Sequence, residues 1–282
     1  MKPLYYLLIS FLLLYSTTAK TQILNADRYT MSVDSLHPFK ALIDIGFSIN
    51  KQNSLIFSLN NRLDLSYNKG QNLWVLVGQF KLFRSGSKNL LNGGFAHARS
   101  RFFKKHWVHP ECFVQYQLDG IRGMELRLLV GSNARFILKE YKDGRFHLGA
   151  GAMYELERWN FSGVPSNRLP ISTPLITNHF IKINSYLSLT QTFQKILLLQ
   201  ITAYAQFRPD SFINYPRFSA DGRLGIAFNK HVQFTIQYNL FYDSLPVVPI
   251  DRLYFSIINK LTFSFSQIKA LERIDFLQEL SS

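Results

Sequence analysis

Residues 123–138, GMELRLLVGSNARFIL, sort by polarity at every second position. One set reads Met124, Leu126, Leu128, Val130, Ser132, Ala134, Phe136 and Leu138; the other carries Glu125, Arg127, Asn133 and Arg135. A period of two belongs to a β-strand with one apolar and one polar face. The pattern recurs over residues 41–49, 55–65, 74–82, 94–102, 112–118, 146–156, 181–189, 197–207, 218–228, 232–242 and 255–265. The chain therefore reads as about twelve strands of roughly 10 to 15 residues, where soluble strands average about five or six. A tilted strand that crosses a bilayer needs about 9 to 11.

The connections sort as well. Counted from the first strand, the even-numbered ones are compact: SYNKGQN, FKKHWVH, EYKDGR, TQTFQK and NKH. The long ones are all odd-numbered: RSGSKNLLNG, the run from Arg158 to Asn178, RPDSFINYP and DSLPVVPI. Transmembrane barrels segregate short periplasmic turns from long outer loops in this way. The strands then present their apolar faces to lipid and their polar faces to the lumen. A soluble sandwich would bury the apolar faces against each other instead.

The N-terminus, MKPLYYLLISFLLLYSTTAK, has a basic start, an apolar run and a close of small residues. This is the pattern of a secretory signal peptide, expected over residues 1–19. The apolar run is too short to span a bilayer comfortably. A periplasmic segment over 20–37 and the barrel over 38–266 are expected to follow. The tail over 267–282 has helical spacing in Ile268, Leu271, Ile274, Leu277 and Leu280.

The stretch FAHARSRFFKKHWVHPECFVQYQLDGIRGMELRLLVGSNARFIL, residues 95–138, followed by LGAGAMYELE, residues 148–157, resembles the DUF481 family of outer-membrane proteins. The resemblance rests on Gly94-Phe95-Ala96-His97, Arg99, Glu111, Phe113, Gln115, Gln117, Leu126-Arg127, Gly131, Arg135-Phe136, Met153-Tyr154-Glu155 and Glu157. It covers roughly residues 38–266 and is nearest to the form in Bacteroidetes-type bacteria, some of which are labelled salt-induced outer-membrane proteins. The resemblance implies location and architecture; the family has no agreed activity.

Candidate functional residues lie under that pattern. His97, Arg99, Glu111, Gln115, Glu125, Arg127, Arg135, Glu155 and Glu157 come from four consecutive strands and are expected to face inward. Strands about 4.8 Å apart let such groups meet across the sheet as an ion network. A site for a small charged solute is the sharper alternative.

Catalytic patterns are weak. None of the histidines at 97, 106, 109, 147, 179 or 231 has a serine two residues away, as a nucleophile–base pair sharing a strand face would need. Ser35 and His37 have that spacing but precede the first strand. His106 and His109 have a metal-pair spacing, beside Pro110 in a turn context that favours surface histidines. No phosphate loop, dinucleotide fingerprint or calcium loop occurs. The single cysteine, Cys112, excludes an internal disulfide framework.

The formal net charge of +14 asks for an anionic neighbour. Lys69, Lys104, Lys105, Lys139, Lys142, Arg145, Lys195 and Lys230 fall in the compact turns. There they would meet phospholipid headgroups. Nucleic acid fits poorly, because the basic residues spread over both ends and the chain is exported.

The expectation is a single antiparallel twelve-stranded barrel in the outer membrane of a Gram-negative bacterium, with both termini periplasmic. It is porin-like, non-enzymatic and without cofactor or metal, and its lumen is charged and constricted, structural or slowly passing small solutes. Its partners are phospholipid, lipopolysaccharide and the outer-membrane assembly machinery. A lipid-modifying enzyme and a secreted soluble β protein are the alternatives.

Overall fold

The computed structural model describes residues 38–263, apart from 52–54, 87, 104–105, 142, 195, 212–214 and 229–231. The signal peptide, the 20–37 segment and the tail lie outside the described residues, as do Lys104, Lys105, Lys142, Lys195 and Lys230.

Twelve strands form one sheet in chain order, each antiparallel to the next. They are β1 (Phe39–Lys51), β2 (Leu55–Lys69), β3 (Asn72–Ser85), β4 (Lys88–Arg101), β5 (Val108–Asp119) and β6 (Met124–Tyr141). The second half comprises β7 (Gly144–Trp159), β8 (Ile176–Phe193), β9 (Leu197–Phe207), β10 (Arg217–Ala227), β11 (Val232–Asp243) and β12 (Leu253–Phe263). Among the described residues the only helical pieces are turns at Ser166–Arg168 and Pro209–Ser211, and no helix is long and apolar enough to cross a membrane.

The sheet curls strongly. Arg122, in the β5–β6 turn, lies over the rings of Phe241 in β11 at 5.4 Å and Tyr254 in β12 at 5.6 Å. On a flat sheet β5 and β11 would stand about 29 Å apart, six strand spacings. Among the described residues no ladder joins β1 to β12, so the sheet ends at these two strands.

Its sidedness is the inverse of a soluble core. The concave face buries Asp64, Glu111, Gln115, Arg127, Glu155, Lys182 and Arg217. The convex face exposes Ile43, Ile45, Phe47, Val130, Ile181, Leu187 and Phe255. One concave region is apolar: Leu73, Val75 and Val77 of β3 pack against Phe95 of β4.

Glycines admit the large inward rings. Gly149 and Tyr186 are cross-strand partners, and a Cβ on Gly149 would meet the Tyr186 ring at 2.0 Å. Gly70 takes the first position of the two-residue β2–β3 turn with φ of +61°, which costs a glycine nothing.

Two details depart from the sequence expectation. RSGSKNLLNG is not a long loop. β3 runs to Ser85 and β4 begins at Lys88, with a register shift at Phe83/Arg84. Gly86, at φ +59°, supplies the positive φ of a tight turn, and the ladder on either side satisfies the backbone. The long loops, 160–175, 208–216 and 244–252, still share one end.

The second departure is at the start of β6. A bulge between Met124 and Leu126 inserts one residue and reverses the faces there. Met124 turns inward and is fully buried, while Glu125 turns outward.

Candidate functional site: a charged lumen

On a strand, residues i and i+2 share a face, so Glu155 and Glu157 of β7 both enter the concave space. Two adjacent carboxylates in a dry interior require cations close by. Neighbouring and facing strands supply them. Arg127 of β6 donates from Nε to Glu155 Oε1 at 2.5 Å, and Arg217 of β10 donates from Nη1 to the same oxygen at 2.9 Å. Lys182 of β8 pairs with Oε2. Glu157 lies 3.9 Å from Arg127 and 3.7 Å from Arg217. Arg217 also donates from Nε to Asp243 of β11 at 2.9 Å. Three cations thus face three carboxylates drawn from five strands, and Glu155 and Glu157 have no exposed surface.

A second knot centres on Glu111 of β5. Arg101 Nε donates to Oε1 at 2.8 Å and Tyr186 Oη donates to Oε2 at 2.7 Å. Arg135 and Arg99 approach at 3.7 and 3.9 Å. Beside it, a His97 ring nitrogen meets Gln115 Oε1 at 3.0 Å, and Gln115 donates to Gln117 at 3.3 Å.

The end bearing the long loops is stoppered by apolar groups. Val164 of the 160–175 loop and Val248 and Ile250 of the 244–252 loop pack on Met124 and Trp159. Arg122 donates from Nε to Asp119 at 2.8 Å and lies 6.0 Å from the Trp159 ring. Arg168 and Asp251 tie the two loops together at 2.8 Å.

Of the nine residues expected to form the lumen network, the structure brings Arg127, Glu155 and Glu157 into one knot and Arg99, Glu111 and Arg135 into the other. His97 and Gln115 bond to each other nearby. Glu125 joins neither: it accepts from Asn160 at 2.9 Å and pairs with Arg158 at 3.2 Å on the outer side. Sequence reasoning missed Arg101, Lys182, Tyr186, Arg217 and Asp243 as members. Strand parity is the signal that finds them, since each sits in step with inward residues such as Asn184, Ser219 or Asn239.

The histidines of the 106/109 pair separate. His109 is buried on the concave side, and His106 is exposed in the turn with its ring edge-on to Phe103 at 6.0 Å. Among the described residues no group of three or more His, Cys, Asp or Glu could hold a metal ion.

Comparison with known proteins gives three findings. No curated protein matches the chain with significant similarity. A solved structure described as "Unveiling the Mechanism Behind the in-meso Crystallization of Membrane Proteins" overlaps 84% of this chain and 90% of its own, at 14% identity and a TM-score of 0.39. Residues 43–254 match the family model described as "Protein of unknown function, DUF481", and the chain belongs to the DUF481 family.

Proposed function

We propose that this protein is an outer-membrane barrel whose centre is filled by ion-paired side chains, a wall-forming, non-enzymatic protein with a constricted lumen. The observation that carries the reading is its sidedness. Ile45 is 78% exposed and Phe47 72%, while Glu155 is fully buried. In water this arrangement forfeits the hydrophobic effect on one face and desolvates charge on the other. In a bilayer the convex face meets lipid.

The dimensions agree. On β7 the convex residues from Phe146 to Leu156 cover about ten residues, or about 34 Å along the strand. At the tilt of about 40° that closed barrels adopt, this gives a band about 25 Å tall, the thickness of an outer-membrane apolar belt.

Aromatic rings border both ends. At the short-turn end Tyr67 stacks on Trp74 at 5.6 Å and Trp107 lies 5.8 Å from Phe136. At the long-loop end Phe218 lies 6.0 Å from Phe207 and 6.4 Å from Tyr242. Such girdles sit at headgroup level. Every backbone polar group inside the bilayer must be paired, so β1 and β12 close the barrel by pairing with each other. The long loops then face outward, toward lipopolysaccharide, and both termini face the periplasm. Lys69, Lys139 and Arg145, beside the short turns, meet phospholipid headgroups there, and the outer-membrane assembly machinery inserts the chain.

Refolding into lipid vesicles tests this. The expected product is heat-modifiable on gels, and in planar bilayers it carries far less current than an open porin. A chain that stays monomeric and soluble without detergent, or one that passes a steady porin-sized current, overturns the proposal.

A further inference from the structure

The concave side is filled unevenly. Against β4 to β10 its long residues are buried: Arg99, Glu111, Arg127, Glu155, Lys182 and Arg217. Against β1 and β2 the lining is small and open. Asp44, Ser48 and Asn60 are exposed and Ser58 is half-buried, although the β1–β2 register puts them on the same face as buried Asp64. On the other side of the seam Asn239 of β11 and Ser256 of β12 are likewise half-buried.

The loops repeat this asymmetry. All three long loops join strands from β7 onward, and the two that stopper the mouth pack on β6 and β7. Gly86 and the unplaced residue 87 make the whole β3–β4 connection, so no long loop arises over that side among the described residues.

Resting on the membrane reading above, we propose that solute passes along β1, β2, β11 and β12, and that the strip selects small uncharged polyhydroxy molecules of pentose size. Its lining is hydroxyl and amide. Ser48 and Ser58 share a hydrogen bond at 2.8 Å, and Asn239 donates to Ser256 at 3.1 Å. Such groups both donate and accept, and so replace the water around a sugar hydroxyl. Charge along the strip is locally matched: Asp44 stands opposite Arg62 in the register, and Arg62 pairs with Asp64. The Glu155 knot beside it is balanced. An ion entering would lose hydration and gain no countercharge.

Liposome swelling tests the inference. Vesicles carrying the full mature barrel are diluted into arabinose or into gluconate. Arabinose is expected to enter at least about tenfold faster than gluconate, because the lining pays for desolvating hydroxyls but not charge. Ser48→Trp and Ser256→Trp fill the strip and should each cut arabinose entry by about tenfold, while Leu240→Trp, which adds the same bulk to the convex face, leaves it unchanged. Heat-modifiable mobility certifies insertion of each variant. Inserted barrels that admit no arabinose, that admit gluconate equally, or that are indifferent to both filling substitutions overturn this inference and leave the membrane reading standing. A chain that does not insert overturns the membrane reading itself.

Discussion

Glu155→Gln is the sharpest probe of the lumen. The substitution keeps the shape of the side chain and removes one charge. In the native knot Arg127, Lys182 and Arg217 face Glu155, Glu157 and Asp243. The variant holds the same three cations against two carboxylates, and the lost charge is the one that all three cations touch. Breaking a buried pair by removing one partner costs about 3–5 kcal/mol, since the remaining charge stays desolvated. That is a shift of roughly two to four powers of ten in the unfolding equilibrium.

Equilibrium unfolding by urea in lipid vesicles, followed by tryptophan emission, reads the loss. Lys182→Met in the same chain restores the balance, so the double variant should recover at least half of the deficit. The exposed loop pair Arg168–Asp251, with side chains 48% and 64% accessible, is the control. Arg168→Ala there should change stability by only about 0–1 kcal/mol. A Glu155→Gln barrel within about 0.5 kcal/mol of the parent, the scatter expected of neutral surface changes, would refute the reasoning. So would a double variant no better than the single one.

Three further outcomes are expected. Gly149→Ala sets a Cβ 2.0 Å from the Tyr186 ring and pushes that hydroxyl off Glu111, so the same urea assay should record a loss of about 1–3 kcal/mol, the usual cost of overpacking. Val248 is 1% exposed beneath the loops, so Val248→Asp buries an unpaired charge and should release the stopper; in a Trp74→Phe, Trp107→Phe background, Trp159 emission should shift to the red, and an unchanged spectrum would contradict the packing. In the 208–216 loop the hydrogen bond from Arg208, with Nε 3.0 Å from Oδ1, holds the Asp210 carboxyl below the usual carboxylate range. A depressed folded value means that the contact contributes above the unfolded carboxyl's pKa and is lost as pH falls through the folded one. A carbon-detected NMR titration should show Asp210 titrating low in the parent and at an ordinary value in Arg208→Ala.

The strands were legible because a period of two is enforced at every residue by the pleat, whatever the sheet packs against. Side-chain chemistry then told which face was polar. What covers each face is a property of the environment, so the alternation at Leu126, Leu128 and Val130 fits lipid or a second protein layer equally. The burial of Glu155 beside exposed Val130 separates the two. Glu125 was misplaced because a bulge changes parity with no residue to announce it. RSGSKNLLNG was misread because Gly, Ser and Asn are as much at home in a tight turn as in a long loop.

Partners across the lumen were less accessible still. Parity assigns Arg217 and Glu155 to the same interior, but β10 and β7 are not neighbours in the sheet. Only the curl of the whole sheet brings Arg217 within 2.9 Å of Glu155. The apolar stopper shared this difficulty. Val247, Val248 and Ile250 sit in a proline-bearing loop, where apolar residues have no strand face to point from, and they gain burial only against Met124 and Trp159.

Barrel size explains why such filling is needed. Eight strands enclose a space that their own side chains occupy, whereas sixteen leave a water channel. Twelve fall between, so this interior is too wide for ordinary residues and too narrow for an open pore. Arginine is the longest charged side chain and stays charged when buried, which suits it to reach across the gap if carboxylates wait on the far side. Arg127, Arg135 and Arg217 do this against β4 to β10, with Tyr186 over Gly149 and two loops taking up the remainder. Where Ser48, Ser58 and Ser256 replace them, the same width is left to solvent. Constriction is therefore a property of one half of this lumen, and a substitution that lengthens side chains in the other half should close it.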